Sequence, residues 1–323
     1  MKICLISFDF WHYDEHIVNK LKEKGVEAYH INIGAFTHKN FGARITNAMS
    51  KVFIGKNLKH EKRQDFIIDS LKKIGKQDQI LVINPENIEE RVHEFIRKHT
   101  DRNIAYLYDS MSRNPADHIL HYFDTVFSFD DEDVKEYGFK KITNYNYLEH
   151  CPAEKQNPKL DLFYITSYDT GRLERLNTLI NQIQNLNINF RAIIAGKKGW
   201  KNQITQIVDQ KNINILNFRR TNIPQQSLPK LYKNTKVILD LQRQNQMGLS
   251  FRIFEAMALE KKFITDNQNI KNYDFYNPEN ILILKEDFSN IEKSFFETKY
   301  QKLSDEIYYK YTLDNWVKTV FNL

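Results

Sequence analysis

Short apolar runs alternate with amphipathic stretches from the first residues onward, and that alternation leaves few folds open to the chain. Residues 2–8 are apolar between polar flanks, as a parallel strand buried on both faces would be. After a loop at 9–14, Ile17, Val18 and Leu21 recur at helical spacing until Gly25, a residue suited to end a helix. Residues 26–33 form the next apolar run. The spacing then predicts helical character across 44–75, strands at 80–84 and 104–108, and a helix at 88–99 between them. Strands at 125–129 and 141–145 flank a helix at 132–137. Strand, helix and strand repeating at this pace predict an α/β fold with a doubly wound parallel sheet.

The rhythm breaks at residues 148–160. Cys151-Pro152-Ala153-Glu154-Lys155-Gln156-Asn157-Pro158 is polar, holds two prolines and has no periodicity. A second α/β series follows, with strands at 160–165, 190–195, 214–218, 237–241 and 263–265 and helices at 172–186 and 226–234. Near the end, Trp316, Val320 and Phe321 share one helical face. The expected division is therefore 1–150 and 151–323, with the terminal helices grouped in the second domain. A chain of 323 residues is long enough for two domains with a core each.

The richest local pattern is Met247-Gly248-Leu249-Ser250-Phe251-Arg252-Ile253-Phe254-Glu255-Ala256-Met257-Ala258, closing on Lys262-Phe263-Ile264-Thr265. A small-residue turn opens a helix, and Arg252 and Glu255, three apart, share one of its faces. The free N–H groups of a helix N-terminus suit a phosphate. Arg252 can fork onto phosphate oxygens, and Glu255 can accept from ribose hydroxyls. Together these residues predict a nucleotide-sugar site that includes Gly248, Leu249 and Ser250.

This run resembles the donor-binding segment of GT-B glycosyltransferases, in particular the bacterial CgeB-like, glycosyl transferase group 1 proteins of capsule or lipopolysaccharide biosynthesis. The resemblance implies two Rossmann-like domains facing a cleft, the first holding an acceptor and the second a nucleotide-sugar donor. The larger retaining GT-B family carries two glutamates eight positions apart. Glu255 matches the second, but Met247 stands at the first, so the role of that first glutamate does not carry over. Thr166-Ser167-Tyr168-Asp169-Thr170-Gly171-Arg172 resembles the loop that covers the donor, which makes Ser167 and Arg172 candidate contacts. Ala195-Gly196-Lys197-Lys198-Gly199 resembles the Gly-rich strand end, which adds Gly196. Neither this loop nor the N-terminal one has Gly-x-Gly-x-x-Gly, which argues against a dinucleotide oxidoreductase.

A transferase that inverts its sugar needs a base to take the acceptor's proton. His12 and Asp14, after the first strand, are candidates, although Asp14 could instead cap the helix that follows. Asp109, in the strand end Tyr108-Asp109-Ser110 found in the resembling group, is their rival. Asp130-Asp131-Glu132-Asp133 is read as capping a helix that begins at Glu132, so no metal is expected. No cofactor is expected beyond the nucleotide-diphosphate sugar as co-substrate.

Charge divides along the chain. Residues 1–158 hold 23 Lys and Arg against 24 Asp and Glu, and the remainder holds 24 against 17. The basic half carries the Arg252 motif, as a diphosphate-binding domain would. Residues 39–63 concentrate Lys39, Arg44, Lys51, Lys56, Lys59, Lys62 and Arg63 beside apolar side chains, a pattern suited to anionic lipid headgroups. Cys4 and Cys151 have no metal-ligand spacing, and neither a signal peptide nor a spanning segment is read. The expectation is a cytoplasmic glycosyltransferase acting on a glycan or lipid-linked acceptor, with peripheral contact to the inner membrane face and no nucleic acid partner. The alternatives are a GT-B-fold nucleotide-sugar epimerase or hydrolase, and a non-catalytic nucleotide-binding partner in a polysaccharide complex.

Overall fold

The computed structural model describes residues 1–9, 11–34, 58–196, 215–242 and 248–323. The chain forms two units: residues 1–143 with 313–323, and residues 144–312.

In the first unit six strands, β1 (Lys2–Ser7), β2 (Glu27–Asn32), β3 (Gln77–Ile83), β4 (Thr100–Leu107), β5 (Thr125–Ser128) and β6 (Lys140–Lys141), form one sheet. Their order is β2-β1-β3-β4-β5-β6, every pairing parallel. Ile3 to Ile6 and Ile80 to Val82 have no exposed surface, which explains why these strands read as unbroken apolar runs. Helices α2 (Leu58–Ile74) and α3 (Glu90–Lys98) pack Ile67, Leu71, Val92 and Ile96 against Cys4, Ile6, Ile80 and Val82. Helix α1 (Asp14–Glu23) buries Ile17, Val18 and Leu21. It stops at Gly25, whose φ of +78° lets Val26 N–H reach Leu21 O (3.0 Å) and its own N–H reach Lys22 O (2.9 Å). Of the helical stretch expected at 44–75, residues 44–57 lie outside the described residues.

The chain's last helix, Leu313–Phe321, belongs to this first unit and not to the second with which the sequence grouped it. Its amphipathic face is the reason: Trp316 packs edge-on to Tyr106 at 5.4 Å and donates to Thr143 O (3.1 Å), while Phe321 O accepts from Gln79 (2.9 Å).

The second unit repeats the plan with β7 (Leu160–Ser167), β8 (Phe190–Ala195), β9 (Leu216–Arg219), β10 (Thr235–Asp240), β11 (Lys262–Thr265) and β12 (Ile281–Ile283). The order is β12-β11-β10-β7-β8-β9, again parallel throughout. Side chains alternate across this sheet. Leu162, Tyr164, Val237, Leu239 and Ile264 join the helix Thr170–Ile183 in one core. Phe163, Ile238 and Phe263 join the motif helix, Phe251–Ala258, in the other. The proline-bearing stretch where the rhythm breaks is fastened to the end of that helix. Cys151 N–H donates to Ala258 O (2.9 Å), Ala153 N–H to Glu260 (2.8 Å) and Gln156 to Leu259 O (2.9 Å).

Candidate functional site

Open parallel sheets bind ligands beyond the carboxyl ends of their strands, where the strand order reverses. In the second unit that point lies between β7 and β10, and the motif residues gather there. Ser250 precedes the Phe251–Ala258 helix in extended conformation, but its hydroxyl does not cap the helix. It donates instead to Asp240 Oδ2 (2.6 Å), at the end of β10. Arg252 donates through Nη1 to Asp240 Oδ1 (2.7 Å) and through Nε to Ile165 O (2.9 Å), and lies 5.9 Å from the Tyr164 ring centre. Asp240, missed in the sequence, therefore fixes both the turn and the arginine. An acid closing an apolar strand just before the motif was the signal that could have found it.

Two further arginines stand at this end of the sheet. Asp169 caps the Thr170–Ile183 helix by accepting from Arg172 N–H (3.0 Å), and the Arg172 guanidinium lies 3.4 Å from Ser167 Oγ. The positive charges of Arg252 and Arg172 both act on the buried Tyr164 hydroxyl. Arg175 pairs with Asp266, which also accepts from Gln242 N–H (2.9 Å). Burial pushes the Asp266 carboxyl up, and Arg175 pulls it part of the way back. The backbone of Gly248 is held by Gln242 (3.1 Å) and Asn267 (3.4 Å). The Leu249 side chain is buried in the core, so its turn offers backbone rather than side chain. Gly196 ends β8 at φ +122°, a conformation that favours glycine, and residues 197–214 lie outside the described residues. Glu255 has no exposed surface, and its Oε1 accepts from Tyr147 Oη (2.5 Å). The partly exposed Tyr147 thus stands between Glu255 and solvent. Met247 lies outside the described residues.

The first unit's strand order reverses between β1 and β3, and there too polar residues collect. Asp9, not Asp14, caps helix α1: its carboxylate accepts from the N–H groups of Asp14 (3.2 Å) and Glu15 (3.1 Å). The Asp14 side chain is thereby released from capping. It is 3% exposed and accepts from Tyr108 Oη (2.5 Å) and from Ser7. Burial, reinforced by the negative charge of Asp9, raises the Asp14 carboxyl to about 7 despite those two donors. Ser7 Oγ lies 3.0 Å from His30 Nε2. Asn84, in the left-handed region at φ +53°, holds Tyr108 N–H on its side-chain oxygen (2.9 Å).

The other two base candidates have different partners. His12 is exposed and 3.7 Å from Glu15. Asp109 pairs with Arg113 (2.8 Å) and accepts from Asn114 (3.2 Å). Tyr108, Ser7 and His30 were missed in the sequence; a histidine within a strand was the one available sign. Asp130 caps the helix Asp131–Tyr137, accepting from Glu132 N–H (2.9 Å) and Asp133 N–H (3.3 Å). Among the described residues no group of three or more His, Cys, Asp and Glu is placed to hold a metal ion, and no helix is long and apolar enough to cross a membrane. Of the basic stretch at 39–63, Lys59, Lys62 and Arg63 fall in α2, Arg63 lying 5.3 Å from the Phe8 ring centre. Residues 39–57 are outside the described residues.

Residues 174–305 match a protein family model described as glycosyl transferase-like. No curated protein matches the chain. Among solved structures, the chain is similar to the lipopolysaccharide outer core galactosyltransferase WaaB in its apo form, at 14% identity and TM-score 0.55, covering 100% of this chain and 99% of that one. It is also similar to OtsA in its apo form, at 11% identity and TM-score 0.59, covering 100% and 98%. A third is an alpha-glucosyltransferase in complex with UDP and a 13-mer DNA, at 11% identity and TM-score 0.55, covering 100% and 94%. By fold the chain is a two-domain α/β protein of the GT-B kind, and the segment that matches the glycosyl transferase-like model lies within the unit that carries Asp240 and Arg252.

Proposed function

We propose that the chain is a metal-independent glycosyltransferase of surface-polysaccharide assembly, of the CgeB-like kind. It moves a sugar from a nucleotide-diphosphate donor on the second unit to a glycan or lipid-linked acceptor on the first, at the inner membrane face. The observation that carries this reading is Arg252, held by Asp240 and Ile165 O at the strand-order reversal beside a helix N-terminus. Two of its nitrogens are engaged by protein, so the guanidinium is preset rather than recruited, and a diphosphate leaving group meets fixed positive charge. Arg172 adds a second cation, and Glu255 acts on the ribose by orienting the Tyr147 hydroxyl. UDP in the DNA-bound similar structure supports a nucleotide ligand.

Thermal unfolding against a panel of nucleotide sugars tests the reading. A donor at a hundred times its dissociation constant stabilises by roughly 2.7 kcal/mol, and one sugar nucleotide should do so selectively, with slow hydrolysis that survives excess EDTA. Stabilisation by none of them overturns the donor site. Turnover lost to EDTA and restored by manganese or magnesium overturns metal independence.

A further inference from the structure

Asp14 cannot touch an acceptor as it stands, because almost none of its surface is open and its carboxylate is covered by Tyr108 and Ser7. Tyr108 is partly exposed and follows β4 directly, with its backbone fixed by Asn84 and its hydroxyl on Asp14. Building on the transferase reading above, we infer that Tyr108 is the group that meets the acceptor hydroxyl, and that Asp14 is the buried proton acceptor behind it, backed by Ser7 and, through Ser7, by His30.

The step balances without any added reagent. As the acceptor oxygen bonds to the sugar's anomeric carbon, the bond from that carbon to the diphosphate breaks and the diphosphate leaves with its electron pair. The acceptor's proton passes to Tyr108 Oη while the phenol's own proton passes to Asp14 Oδ1. Tyrosine ends neutral, Asp14 ends as the carboxylic acid, and the proton is later lost to water. A free phenol near pKa 10 is a poor relay at neutral pH, and a carboxylate at 2.5 Å that itself titrates near neutrality corrects this.

The charges around the pair fit this arrangement. Asp9 faces Asp14 and raises its proton affinity, while the Ser7 and Tyr108 hydroxyls lower it. His30, kept neutral by burial, faces Asp9 and Glu15 on one hand and His12 and Lys22 on the other. It lies 3.0 Å from Ser7 Oγ, and as a neutral donor it orients the serine proton toward Asp14. Tyr108 is thus the catalytic residue, and Asp14, Ser7 and His30 are positioning residues.

Two measurements on the full chain test this. In the first, with no substrate present, carbon-13 NMR follows the Asp14 carboxyl against pH. It should titrate far above an ordinary aspartate and move further up in Ser7→Ala and in Tyr108→Phe, with His30→Ala shifting it the same way by less. An ordinary aspartate midpoint, or none of these shifts, overturns the pair. In the second, transfer is measured with the sugar nucleotide that stabilises the protein. Tyr108→Phe and Asp14→Asn should each lower kcat at least 100-fold, leave donor affinity within threefold, and abolish the rise in rate through neutral pH. Tyr108→Phe within threefold of the parent kcat overturns the assignment of Tyr108. A donor that binds but is transferred to no acceptor overturns the transferase reading, and the acceptor role of Tyr108 with it; the NMR shifts would then separate that failure from a failure of the hydrogen-bonded pair.

Discussion

The two units share a plan and use it for opposite purposes. Each is a six-stranded parallel sheet whose polar residues gather where the strand order turns back. In the second unit that place holds Arg172, Arg175 and Arg252, each beside a carboxylate, on Asp169, Asp266 and Asp240 respectively. In the first it holds Asp9 and Asp14, and burial together with the Asp9 charge raises the Asp14 carboxyl to about 7. One reversal point is arranged to keep charge fixed, the other to let a proton come and go. A common device serves both: a buried carboxylate, Asp14 or Glu255, accepts at 2.5 Å from a partly exposed tyrosine. The same strand-end position thus becomes an anion site or a proton site according to which side chains follow the strand.

The sharpest way to break this contrast is to remove one charge from each unit. Arg252→Ala leaves Asp240 buried without its cation, and breaking such a pair costs roughly 3–5 kcal/mol. Hydrogen exchange should show that loss in β7 and β10 and leave β1 and β4 protected as before. Equal loss in both units would mean that they unfold as one, and the comparison would fail.

Asp14→Asn should act in the reverse direction. The Asp14 carboxyl has a higher pKa folded than unfolded, so between about pH 4 and 7 the folded chain keeps a proton that the unfolded chain has lost. Stability from this group is therefore present at low pH and falls by about 1.4 kcal/mol per unit as pH rises toward 7. Urea unfolding at pH 5 and pH 8 should show that slope in the parent and a flatter one in the variant. Identical slopes would remove the proton-accepting half of the comparison.

A smaller effect tests whether the first unit also meets a membrane. Lys56→Gln, Lys59→Gln and Lys62→Gln together should weaken sedimentation with anionic vesicles at low salt, each charge contributing on the order of 1 kcal/mol before screening. Arg63 is left in place because its guanidinium packs over Phe8. Equal binding of parent and variant, or equal binding to neutral vesicles, would remove the membrane role of these charges.

How much of this the sequence disclosed depends on whether a feature is local. The strands were legible because sheets covered on both faces demand unbroken apolar runs, as at Ile3 to Ile6. The Ser250–Arg252 turn was legible because a helix start is written in adjacent residues. Asp240 was not, since its partners come from another element ten and twelve residues on. Tyr108 lies 94 residues from Asp14, and Ser7 lies 23 from His30. Those pairs exist only because β1 lies between β2 and β3, with β4 beyond, and strand order is not written in periodicity. Asp14 as a helix cap was a sound local reading overturned because the helix starts one residue earlier, at Asp14 itself, so that Asp9 accepts from its first N–H groups.

The return of the final helix to the first unit sets an order of events during synthesis. Residues 144–312 are synthesised before Trp316 exists to cover Tyr106. The first unit, begun earlier, therefore keeps one face of its sheet unfinished throughout the making of the second. Loss of residues 313–323 would accordingly fall on the unit begun first, leaving Tyr106 and Thr143 without Trp316.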